Sequence, residues 1–104
     1  MNQTFTVTLR RENGNAVLDM TGDINGFAET ALNQAYIQAE SDQPEAVVLN
    51  FAKVDYINST GIALIVGLLA KARVAKRPLI AANLTEHYRE IFTITRLSDF
   101  ITIR

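Results

Sequence analysis

The sequence predicts an α/β fold: one domain with a mixed, mostly parallel sheet of about five strands, helices packed on it and an antiparallel hairpin at its N-terminal edge. Near the N-terminus two segments of period 2 flank an Asn-Gly dipeptide, the mark of a tight hairpin. After them, segments of helical period alternate with short apolar runs, and that order requires parallel strands joined by right-handed crossovers.

Phe5, Val7 and Leu9 alternate with Thr6 and Thr8, as in a strand with one buried face. Asn13-Gly14 makes the turn, and Ala16, Leu18 and Met20 alternate with Val17 and Asp19 on the returning strand. Thr21 to Gly26 reads as a loop. From Phe27 to Glu40 the period becomes helical: Ala28, Ala31, Leu32, Ala35, Tyr36 and Ala39 form one stripe, with Asn25 or Gly26 as the cap. Ser41 to Glu45 is the exit loop. Ala46 to Phe51 is nearly all apolar, as expected of a central strand covered on both faces.

A second helix is expected from about Thr60 to Ala75, apolar almost all round at its start. Lys71, Arg73 and Lys76 complement the dipole near its end, and Arg77-Pro78 stops it. Leu79 to Ala82 reads as a fourth strand. Asn83 and Glu86 resemble a capping pair for a third helix lined by Tyr88, Ile91 and Phe92. Phe100 to Ile103 is a short last strand.

At 104 residues, folding buries roughly 65% of the surface of the unfolded chain, enough for a core. A net charge of −1 provides no long-range field for nucleic acid or an anionic membrane. The absence of cysteine excludes disulfides and cysteine-held metal, and it fits a reducing cytoplasm. The polar start Met1-Asn2-Gln3-Thr4 is unlike a signal peptide. Ile62 to Ala70, the longest apolar run, is about half of what spans a bilayer, so membrane insertion is not expected.

The chemistry of an enzyme is missing. His87 stands alone and reads as a solvated helix residue, so no metal site is expected. Asp19, Asp23 and Asp55 read as loop and cap carboxylates rather than an acid–base pair. No dinucleotide, P-loop or nucleophile-elbow pattern occurs, and no base lies at a readable spacing from Ser59. The cations from Lys71 to Arg77 read as a solvated helix end, without the aromatics of a nucleic-acid platform.

What remains is Asn58-Ser59-Thr60-Gly61, at the start of the second helix. A helix N-terminus offers orphan N–H groups and favours negative charge, which suits a capping side chain and equally a phosphate. On local physics alone a cap is the simplest reading of these residues.

The run from Ala46 to Ile62 resembles the signature of the STAS domain of bacterial anti-sigma factor antagonists: a hydrophobic strand, then Asp-Ser-Ser/Thr-Gly-Leu opening a helix. Met20-Thr21-Gly22-Asp23-Ile24-Asn25 is similar to the family's Leu-x-Gly-Glu-Leu-Asp turn, and Leu84 to Phe100 to its third helix and following strand. The resemblance implies a phosphorylation switch. Ser59 would be phosphorylated by a partner that is both anti-sigma factor and serine kinase. The unphosphorylated form would bind that partner and free the sigma factor, and a metal-dependent serine phosphatase would reset the switch. Asp23, Asn25, Asn58, Thr60, Gly61 and Ile62 would make or border the docking surface. The kinase would supply ATP and Mg²⁺, so no cofactor is expected here, nor direct contact with nucleic acid. Two family carboxylates are asparagine, Asn58 before the serine and Asn25 in the upstream turn, and with the sequence stopping at Arg104 the last helix that many relatives carry is not expected. The rival implied by the family is an unphosphorylated scaffold subunit, as in bacterial lipid-transport ABC systems; a serine hydrolase on Ser59 is weaker for want of a base.

Overall fold

Strands β1 (Thr6–Glu12) and β2 (Asn15–Ile24) form the expected antiparallel hairpin. Asn13 and Gly14 turn it with φ of +53° and +85°, the left-handed pair that a two-residue hairpin loop requires. The computed structural model describes residues 4–104; Met1-Asn2-Gln3, on which the expectation about a signal peptide rests, lie outside them.

β2 does not stop at Met20. Thr21 to Ile24, expected as loop, stays paired with the next strand through register shifts between Asp19 and Thr21 and between Gly22 and Asp23. Such bulges absorb irregular sequence and bend a strand without ending it. Gly22 takes φ +97°, and a Cβ there would lie 2.5 Å from the Thr4 carbonyl oxygen. Only glycine suits that combination.

The 3₁₀ turn Gly26–Ala28 leads into α1 (Glu29–Glu40), whose stripe of Leu32, Ala35, Tyr36 and Ala39 is buried as its period predicts. Next come β3 (Val47–Ile57) and α2 (Ser59–Val74). β4 (Leu79–Ala82), α3 (Glu86–Ile94), a 3₁₀ turn at Leu97–Asp99 and β5 (Thr102–Ile103) complete the order. β3 runs well past Phe51, and β5 is shorter than expected because the 3₁₀ turn holds the Phe100 N–H. Arg77-Pro78 follows the stop of α2 rather than making it. Lys76 turns out at φ +57°, and the Lys76 and Arg77 N–H groups donate to Arg73 and Ala72, a Schellman closure. α3 is capped by Thr85, whose hydroxyl accepts from the Tyr88 N–H (3.3 Å). Asn83 instead bends the chain at φ +63° and donates to Asn50.

The strands lie side by side in chain order, β1-β2-β3-β4-β5, parallel from β2 onward. When right-handed crossovers always step in the same direction, every helix falls on one face. Leu18, Met20, Leu49, Phe51, Leu79 and Ala81 accordingly meet Leu32, Tyr36, Ile65, Leu68 and Phe92 in one core. This corrects the expectation for the central strand. On the other face Val17, Val48 and Ala82 form a small separate cluster without a helix. Arg10, Glu12, Asn50, Asn83 and Arg104 line a hollow of about 220 Å³ over it. Hydrogen bonds from Arg10 to Asp19 (2.6 Å), Asn50 to Asp19 (2.7 Å) and Asn83 to Asn50 (2.8 Å) cross that face. The Arg10 guanidinium holds the Asp19 carboxyl below its usual pKa.

Candidate functional site

Open α/β sheets bind ligands at the carboxyl edge where the strand order reverses. This order never reverses, so the edge has no such crevice. Among the described residues, no group of three His, Cys, Asp or Glu side chains could hold a metal ion. Among the described residues, no helix is long and apolar enough to cross a membrane. Asp19 serves the network on the helix-free face, Asp23 is half-buried at the end of β2, and Asp55 and His87 are exposed. The edge does carry the start of α2.

That start is fixed by neutral groups. Ile24 and Ile57 pair at the ends of β2 and β3, and the Asn58 N–H donates to the Ile24 carbonyl (3.2 Å). The Ile57 N–H donates to the buried Tyr88 hydroxyl (2.8 Å), which ties α3 to the same corner. The Asn58 side chain accepts from the Gly61 N–H (2.8 Å) and caps α2. The Ile62 N–H donates to the Asn58 carbonyl (2.9 Å), the first bond of the helix. A Cβ on Gly61 would lie 2.0 Å from the Ile24 carbonyl oxygen and 2.9 Å from Ile57 Cγ2. Gly61 is thus what lets α2 sit directly on the end of β2.

Neither hydroxyl is the cap. Asn, Ser and Thr all cap well, and three in a row leave local preference undecided. The contact of Gly61 with Ile24 sets the register, and it puts Asn58 in the capping position. Ser59 becomes the first residue of the helix and, like Thr60, is exposed. Of the other residues expected at the surface, Asn25 and Asn58 are half-buried, Gly61 is buried, and Ile62 is half-buried against the core. The last two shape the surface from beneath.

Asn25 repeats the role of Asn58. Its side chain accepts from the Phe27 N–H (2.9 Å) and caps the 3₁₀ turn. A Cβ on Gly26 would stand 3.7 Å from the Thr60 methyl, so the turn lies against the start of α2. Both asparagines supply the capping oxygen of a carboxylate without its charge. The first turn of α2 holds no acidic residue, while Lys71 and Arg73 occupy the last. No side chain of that turn therefore compensates the positive end of the dipole at Ser59.

Phe27 opens the helical segment of the sequence but lies outside its apolar stripe, and the sequence assigns it no role. The structure leaves it 92% exposed on the turn. Its place outside the stripe is the one sign in the sequence that it can face water.

A model of the STAS-domain family matches residues 6–104. The anti-sigma-F factor antagonist RsfB of Mycobacterium tuberculosis is 27% identical, with 88% of this chain and 84% of that protein covered. The crystal structure of an anti-sigma factor antagonist from Mycobacterium paratuberculosis superposes with a TM-score of 0.78 at 19% identity, over 96% of this chain and 85% of that one. The Bacillus cell fate determinant SpoIIAA in its phosphorylated form gives a TM-score of 0.67 at 15% identity, over 95% and 91%.

Proposed function

The chain belongs to the STAS-domain family, and on that premise we propose that it is an anti-sigma factor antagonist switched by phosphorylation of Ser59. The observation that carries this reading is Ser59 itself: exposed, relieved of capping by Asn58, and first in a helix whose first turn holds no acidic residue. The names of relatives such as RsfB support the regulatory role. So does a phosphorylated form of a protein of the same fold.

In this scheme the unmodified surface binds an anti-sigma factor that is also a serine kinase, and sigma factor is released. The kinase brings ATP and Mg²⁺. The Ser59 oxygen bonds to the γ-phosphorus as the bond to ADP breaks, and the hydroxyl proton passes to a base of the kinase. A metal-dependent phosphatase uses water to return serine and inorganic phosphate. Phosphoserine adds about −1.5 to −2 charges where the helix dipole favours them, so the fold tolerates the group that blocks the partner. Neutral Asn58 and Asn25 also spare the phosphate two like-charged neighbours. The chain is a binding protein of the cytoplasm rather than an enzyme.

The test is to incubate the purified protein with each serine-kinase anti-sigma factor of its own genome and Mg·ATP, then map the product by mass spectrometry. One phosphate on Ser59, lost in Ser59→Ala, is expected. An unmodified protein whose Ser59→Asp variant still binds its partner at full strength would mean a constitutive scaffold.

A further inference from the structure

Phe27 is the most exposed large apolar side chain among the described residues, at 92%. Its backbone is nevertheless well held. Asn25 accepts from the Phe27 N–H (2.9 Å) through its side chain and from the Ala28 N–H (3.0 Å) through its carbonyl, and Ala28 beside it is fully buried. A large ring held into water on a fixed turn contributes nothing to the core. The turn lies against Thr60, the neighbour of Ser59 in the chain, and the residues at that contact, Gly26 and Thr60, and the two caps, Asn25 and Asn58, are all neutral. Binding energy at protein interfaces concentrates in such preorganised aromatics, ringed by contacts that exclude water.

We propose that Phe27 is the anchor of the docking surface, its ring entering an apolar pocket of the anti-sigma factor. This rests on the partner-switching reading and adds the chemistry of recognition to it. Phosphorylation then acts by position. A phosphate on Ser59 needs water around it, and an interface that covers both the Phe27 turn and the adjoining start of α2 cannot supply that water.

Isothermal titration with the anti-sigma factor that phosphorylates Ser59 tests the anchor, using wild type, Phe27→Ala, Phe27→Leu and Ser59→Asp. Phe27→Ala is expected to weaken binding by about 30-fold or more, and Phe27→Leu to regain part of it. The thermal midpoint of both should equal that of wild type, since the ring is almost wholly in water. If Phe27→Ala binds within threefold of wild type while Ser59→Asp does not bind, the anchor is wrong and the switch survives. If wild type binds no anti-sigma factor, both readings fall. Self-association of wild type that Phe27→Ala abolishes, seen by analytical ultracentrifugation, would overturn the proposal in favour of a second copy as the occupant.

Discussion

α2 is secured at its N-terminus by backbone contact and neutral side chains, and beyond its C-terminus by charge. Gly61 seats the first turn on the Ile24 carbonyl, and Asn58 caps it. At the far end Arg77 donates to Glu40 (2.8 Å) and to the Pro44 carbonyl (2.7 Å), both side chains of the ion pair being about four-fifths buried. Glu40 also accepts from the Tyr36 hydroxyl, whose pKa is raised by burial and by that carboxylate. One end has its charges matched, and the other has none in its first turn. A charge added enzymatically has the larger effect where no charge is already in place.

The strongest way to break this contrast is Gly61→Ala. The new methyl would overlap the Ile24 carbonyl, and the corner must open at a cost of about 3 kcal/mol. Thermal unfolding should drop by roughly 12 °C or more. A loss under about 1 kcal/mol would show that the helix start is free to shift. At the other end, Arg77→Ala should cost about 2 kcal/mol in urea unfolding, because two hydrogen bonds of a charged donor vanish and Glu40 loses its cation. Arg77→Lys should recover less than half, since an ammonium cannot reproduce the two-pronged geometry. The smallest change sharpens the comparison. Ser59→Asp should stabilise the fold by about 0.5 kcal/mol at pH 7 and low salt, with Ser59→Asn as the uncharged reference. The aspartate's folded pKa falls below its unfolded value near 3.9, so the gain should disappear as pH drops through that range. A net loss at pH 7 would contradict an anion-friendly helix end.

Much of this was legible in the chain. The order of strands and helices, the Asn13-Gly14 hairpin and α2 to within a residue follow from period and turn chemistry, which are local properties. What was missed depends on partners distant in sequence. Thr21 to Ile24 reads as loop until β3 is present to pair with it through bulges. The cap of α2 was undecided among Asn58, Ser59 and Thr60 until Ile24 limited where Gly61 can sit. The bare second face required the strand order, which periodicity does not contain. At the site, Ser59 came from the resemblance and the helix start, whereas Phe27 is marked only by falling outside the stripe of its helix.

The order of the sheet also bears on how the molecule is made. Every strand pairs with its neighbour in the chain, and no pairing has to enclose more than one helix. Loop closure is therefore always short, and no early strand waits unpaired for a late one. The hairpin can form first and each helix–strand unit can then add to a finished edge. Assembly can therefore follow the direction of synthesis, and the corner that carries Ser59 has all its native hydrogen bonds only once Tyr88 holds Ile57.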